Sequence, residues 1–145
     1  MPQTIASIVK SKGSQIWSIE PEATIYDAIA MMAERSIGAL LVVSAGKLVG
    51  IVSERDYARK VMLQGRSSKD TQVQEIMTRE VLTVTPDHTV DDCMRIITNH
   101  RIRHLPVVDQ GELRGVISIG DLVRAIIAEQ AETIDHLHAY IAGRY

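Results

Sequence analysis

Residues 101–123 read RIRHLPVVDQGELRGVISIGDLV, and residues 36–57 read SIGALLVVSAGKLVGIVSERDY. Both run the same way: an apolar stretch, a turn containing Gly, a second apolar stretch, then Ser-x-x-Asp. Working outward, residues 21–59 lie on residues 86–124 without a gap. The matched identities include Pro21/Pro86, Thr24/Thr89, Asp27/Asp92, Gly46/Gly111, Gly50/Gly115, Ser53/Ser118, Asp56/Asp121 and Arg59/Arg124. Most of the other positions exchange like for like. The chain is therefore an internal repeat, the feature to settle before any local assignment.

Each half carries the same signals in the same order. A short apolar run (residues 16–19; 81–84) ends two residues before a proline, which reads as a strand. Thr-x-x-Asp follows (Thr24 to Asp27; Thr89 to Asp92), an N-terminal box with Asp in place of Glu. Apolar residues then recur at Ile25, Ala28, Ile29 and Met32, and at Val90, Cys93, Met94 and Ile97. That spacing is one buried face of a helix. Two strands come next (residues 39–43 and 48–53; 104–108 and 113–118), joined by turns whose Gly suits a hairpin. Ser53-x-x-Asp56 and Ser118-x-x-Asp121 open a last helix in each half.

The predicted fold is α+β: two pseudo-symmetric β-α-β-β-α lobes packed sheet to sheet, with an extended C-terminal helix. A half of this size is marginal alone, and its open sheet face needs a partner. The limits expected are residues 5–64 for the first lobe, a polar linker at 65–71, the second lobe at 72–130, and a helical extension at 131–145. Along the last helix and on into that extension, Leu122, Val123, Ile126, Ile127, Gln130, Ile134, Leu137 and Ile141 continue a near-helical stripe. Such a stripe implies contact with the other lobe or with another chain.

Composition sets outer limits. The chain has 145 residues, 46% hydrophobic and 23% charged, with 16 Lys+Arg against 18 Asp+Glu and a net charge of -2. A strongly basic nucleic-acid footprint is absent. Apolar runs are of strand length, far short of the roughly 20 residues of a membrane helix. MPQTIASIVK lacks the basic start and apolar core of a signal peptide, and a lone Cys93 makes no intramolecular disulfide. The expected setting is cytoplasmic, with neither nucleic acid nor membrane as partner.

The paired β-α-β-β-α halves and the two quoted segments resemble a tandem pair of cystathionine-β-synthase-type (CBS) domains, the Bateman module. The resemblance spans nearly the whole chain and rests on two copies in register. It implies a stand-alone regulatory module that binds an adenine nucleotide (AMP, ADP, ATP or NAD) in clefts between the lobes. It also implies a homodimer and a protein partner that reads occupancy.

The resemblance further implies two unequal clefts. In the stronger one, Asp121 accepts from both ribose hydroxyls and Ser118 faces phosphate. Arg103 and His104 supply phosphate donors, and Ser18, Ile37 and Gly38 contact the base. In the weaker one, Ser53 and Asp56 take the corresponding roles, with Thr83 and Ile102 at the base and Arg55 as a compensating cation. The repeat places Gly38 and Ala39 opposite Arg103 and His104, so the first half lacks those cations.

Plainer readings stand beside these. Ser-x-x-Asp caps a helix without any ligand, for about 0.5–2 kcal/mol. Arg101, Arg103 and His104 also read as a solvated strand end, and Gly38 as a turn. His100 and His104 do not share a helical face, and His136 and His138 point about 200° apart on a helix, so neither pair reads as a zinc site. Cys93 reads as a small core residue. No Walker-type loop, Gly-x-Gly-x-x-Gly or nucleophile–base set is present, so an enzyme is not expected. The competing function is a ligand-independent dimeric scaffold.

Overall fold

The computed structural model describes residues 3–13 and 16–142. The end of the expected extension, residues 143–145, lies outside the described residues.

The first repeat begins with β1 (Ser18–Ile19), α2 (Ile25–Arg35), β2 (Ala39–Ser44) and β3 (Lys47–Ser53). Here α1 denotes the preceding helix Ile5–Lys12. The strands form one sheet in the order β1-β2-β3, with β1 parallel and β3 antiparallel to β2. A short helix, α3 (Glu54–Tyr57), runs into a π-helical turn at Ala58–Met62. A further helical turn, α4, covers Val73–Ile76.

The second repeat gives α5 (Val90–His100), β4 (His104–Asp109), β5 (Glu112–Ser118) and α6 (Ile119–Ile141). Its first strand is reduced to one parallel bridge, Val84 to Val107. The sequence predicted a full third strand there, from the apolar run 81–84. Only Val84 is buried from that run, while Leu82 and Thr83 are exposed. An apolar side chain left in water offers no drive to extend the pairing.

The repeat extends to the backbone. Helices α2 and α5 both end on a left-handed residue, Ser36 (φ 55°) and Arg101 (φ 54°). Both hairpins turn on two residues of positive φ, Ala45–Gly46 and Gln110–Gly111. Two successive positive φ values give the turn whose twist matches the flanking strands.

The chain forms two compact units. One holds residues 3–13, 84–109 and 114–142 of the described chain; the other holds 16–83 and 110–113. Division by compactness therefore differs from division by repeat. Helix α1, which the sequence limits placed with the first repeat, packs in the unit of the second. Ile5 and Ile8 join a core with Val90, Cys93, Ile97, Leu105, Ile117 and Leu122. The first repeat has its own core, built from Ile25, Ala28, Met32, Leu40, Val42, Val52, Val61 and Val73.

Each repeat is covered by an analogous segment from elsewhere in the chain. The Ile5 and Ala6 N–H groups donate to the carbonyls of His88 and Pro86, and Val90 N–H donates to Gln3. In the first repeat, Val73 and Gln74 donate to Ala23 and Pro21, and Ile25 donates to Thr71. Residues 65–71, read as a polar linker, are thus bonded to the first repeat. The Thr71 side chain is buried and donates to the Ser67 carbonyl at 2.7 Å, and Tyr26 N–H donates to Ser68.

Two equivalent glycines mark where these covers lie. A Cβ on Gly50 would stand 2.6 Å from Met77 Sδ and 3.0 Å from the Thr78 carbonyl. On Gly115 it would meet Val9 of α1 at 3.4 Å. Glycine at 50 permits the close approach that the Ile51–Thr78 bridge requires.

Candidate functional site

Ser53 and Ser118 end β3 and β5 in extended conformation and cap the helices that follow. Asp56 N–H donates to Ser53 Oγ at 3.1 Å, and Ser53 N–H donates to Asp56 Oδ2 at 2.9 Å. The second repeat reproduces both bonds, from Asp121 N–H to Ser118 Oγ (3.1 Å) and from Ser118 N–H to Asp121 Oδ2 (2.9 Å). Both Ser-x-x-Asp capping boxes are therefore present. Each holds a carboxylate rigidly at a helix N-terminus.

The two carboxylates differ in what surrounds them. Asp121 and Thr71 are the buried polar residues among those described, and Asp121 is the charged one. Its side chain is 6% exposed. A buried charge is costly unless paired, and Asp121 is paired twice. Lys12 Nζ, from the end of α1, donates to Oδ2 at 2.7 Å and to the Val116 carbonyl at 2.8 Å. Arg124 Nη2 donates to Oδ1 at 2.7 Å. Burial raises the Asp121 pKa, but the bonds from Lys12 and the Ser118 backbone outweigh it and hold the carboxyl below its ordinary value.

Asp56 takes a second bond from Ser53 Oγ at 3.1 Å and a longer ion pair with Lys60 at 3.3 Å. Lys60 also donates to the Ile76 carbonyl at 2.9 Å. Both carboxylates thus face an ammonium shared with a main-chain carbonyl. In the first repeat it comes from one turn along the same helix. In the second, Ala125 occupies the position equivalent to Lys60, and Lys12 supplies the ammonium from a remote helix. Pairs with few or local hydrogen bonds are worth little at the surface; the Asp121 pair is short and anchored at both ends.

The remaining expected residues divide between the two units. Arg103 and His104 lie with Ser118 and Asp121: the Ile119 N–H donates to the Arg103 carbonyl at 2.9 Å. His104 begins β4 and is half-buried. Burial, the Lys12 charge and the Arg103 charge lower its pKa, against an opposing pull from Asp121. Arg101, expected in the same basic cluster, is the left-handed cap of α5.

Ser18, Ile37 and Gly38 lie in the unit of the first repeat. Gly38 accepts from the Glu54 N–H at 3.0 Å, which puts its main chain beside the Ser53–Asp56 cap, in the position Arg103 holds beside Ser118. Arg55 is exposed on α3, Thr83 is exposed, and Ile102 packs on the core of the second repeat.

Sequence reasoning missed Lys12. It lies 109 residues from Asp121, and no local spacing connects them. The available signal was the break in the repeat at Ala125. Arg124 was seen as a repeat identity, Arg59/Arg124, and gained no role from that. Cys93 is buried and unpaired by any disulfide, and burial raises its pKa to about 11, as suits a core thiol. No described helix is long and apolar enough to cross a membrane.

The CBS domain family matches the chain twice, over residues 9–63 and 73–128. A solved CBS-domain protein of Burkholderia ambifaria is 54% identical, with a TM-score of 0.85, covering 88% of this chain and 96% of that one. The mitochondrial CBS domain-containing protein CBSX3 of Arabidopsis thaliana is 45% identical over 98% of this chain and 73% of its own length. The CBS domain pair of MJ0100, solved with 5′-methylthioadenosine and S-adenosyl-L-methionine, is 26% identical at a TM-score of 0.79, covering 89% of this chain and 99% of that one. CBS-domain proteins are in general regulatory rather than catalytic. With two family matches in register on two equivalent folded repeats, this chain belongs to the CBS-domain family and is a tandem CBS pair, a regulatory module.

Proposed function

We propose that the chain senses an adenine nucleotide (AMP, ADP, ATP or NAD) and passes its occupancy to a protein partner through rearrangement of the lobes or of a homodimer. The observation that carries this reading is the duplicated cap, which fixes a carboxylate at each helix N-terminus and buries that of Asp121. A carboxylate fixed at a helix N-terminus accepts from vicinal ribose hydroxyls, while the adjacent N–H groups and Ser hydroxyl favour a phosphate. The adenosine-containing ligands of the MJ0100 pair supply a precedent for that chemistry.

In this reading Ser118, Asp121, Arg103 and His104 form one ligand-facing set with Ser18, Ile37 and Gly38 at the base. Ser53, Asp56 and Arg55 form the other with Thr83 and Ile102. Whatever the rearrangement, its free energy is limited to the ligand's differential affinity for the two states. The test is isothermal titration with AMP, ATP and NAD separately. Saturable micromolar binding by one of them, lost in Asp121→Ala with circular dichroism unchanged, is expected. Unaltered affinity in that variant overturns the assignment.

The ligand-independent scaffold is favoured by one observation of its own. On α6, Val123, Ile127, Ile134, Leu137 and Ile141 are exposed, from 41% at Val123 to 80% at Ile141. With Gln130 they follow a 4-3-4-3-4 spacing, the seam of a two-stranded coiled coil. A well-folded dimer that binds no nucleotide at millimolar concentration supports this reading. Sedimentation of Leu137→Glu as a monomer would locate the contact on this helix.

A further inference from the structure

We propose that Lys12 is a ligand-contacting residue that makes the Asp121 site select phosphorylated nucleosides over uncharged ones. This rests on the reading of Asp121 as a ribose acceptor and assigns to one residue the phosphate preference of that site.

Three observations carry it. First, the Lys12 ammonium is fixed by two bonds, to Asp121 Oδ2 and to the Val116 carbonyl. An ammonium has three donors, so one proton remains for a ligand. Second, the side chain is 39% exposed while Asp121 is buried. The Lys12 side chain thus reaches solvent beside the buried carboxylate. Third, Arg124 pairs with the other carboxylate oxygen, and the Arg103 charge acts on the neighbouring His104. Two cations, Lys12 and Arg124, pair with one carboxylate, leaving the pair an excess of positive charge. Neutralising a carboxylate needs only one cation; the surplus suits an anion.

Helix α1 is fixed well enough to hold such a donor. Ile5 is fully buried, and Ile8 is nearly so. The ammonium therefore needs little ordering when a phosphate arrives. In the first repeat the equivalent ammonium, Lys60, is 47% exposed and lies farther from its carboxylate.

The experiment compares AMP with adenosine by titration calorimetry on the full chain, in a common Asp56→Ala background that confines binding to the Asp121 site. The parent is expected to prefer AMP by tenfold or more. Lys12→Gln is expected to weaken AMP about tenfold while adenosine changes less than twofold, and Lys12→Arg is expected to restore most of the AMP affinity. Equal losses for both ligands would overturn the proposal, since Lys12 would then only position Asp121. Tighter binding of both would also overturn it, marking Lys12 as a competitor for the carboxylate. A parent that binds AMP and adenosine equally refutes the selectivity alone. A parent that binds neither refutes the ribose reading of Asp121 and this assignment together.

Discussion

The two Ser-x-x-Asp caps share their backbone bonds to within the same tenth of an ångström and diverge in where their cations come from and how deeply the carboxylate is buried. Asp56 is a local device: its serine and its lysine are both within four residues. Asp121 is a tertiary device, closed by the remote helix α1. A sequence repeat can thus conserve a cap while its electrostatic setting is rebuilt from a distant segment. The lesson is that equivalent motifs are to be compared by what completes them.

The largest expected effect breaks the comparison at the covering segments. Ile5 and Val73 are both fully buried and hold equivalent places in the two covers. Ile5→Ala should lower the unfolding free energy by about 2–5 kcal/mol, measured by urea denaturation. Val73→Ala should cost about 1 kcal/mol less, the value of one methylene. A loss below about 1 kcal/mol for Ile5→Ala would mean that α1 is only loosely docked, and the anchoring of Lys12 would fall with it.

Next comes the carboxylate itself. Asp121→Asn leaves Lys12 and Arg124 without their counter-charge and should cost about 1–3 kcal/mol. Asp56→Asn should cost less, since Lys60 is half-exposed and its ion pair is long. Equal losses in urea titrations of the two variants would erase the distinction between a local and a tertiary cap.

A pH series sharpens the same contrast. The folded pKa of His104 lies below its ordinary 6.5. As pH falls through that value the unfolded chain takes up the proton first, so stability present at neutral pH is lost toward acid. Asp121, also lowered, adds a further loss below about pH 4. His104→Asn should flatten the fall in urea midpoint between pH 7 and pH 5. An unchanged slope would show that this histidine is not the group responsible.

The smallest effect concerns the other pair of caps. Thr89 and Asp92 form a reciprocal box, whereas Thr24 accepts from Asp27 N–H without a return bond. The return bond runs from the Thr89 N–H to the Asp92 carboxylate, so the aspartate is the residue to remove. Asp92→Ala should lower the melting temperature more than Asp27→Ala, and the reverse order would deny the return bond any role.

Much of this was legible from residue order. The repeat, the helix openings at Thr24, Thr89, Ser53 and Ser118, and both hairpins follow from spacing and turn chemistry, which are local. The third strand of the second repeat was not, because the run 81–84 is apolar in composition but only Val84 finds a buried place. Lys12 was illegible for a different reason: an ion pair across 109 residues leaves no periodic trace. The polar stretch 65–71 looked like a tether because the bonds that tie it to α2 run through main-chain groups, from Tyr26 N–H to Ser68 and from Ile25 N–H to Thr71, which composition does not reveal.

The exchange of covers has a topological consequence. Residues 3–12 complete the second repeat, and residues 71–78 complete the first. A cut between residues 64 and 70 would therefore not release two finished halves. The amino-terminal piece would keep the cover that belongs to its neighbour's fold, and the carboxy-terminal piece would keep the other. Proteolysis there would leave two fragments joined through borrowed parts, separating only when a core opens.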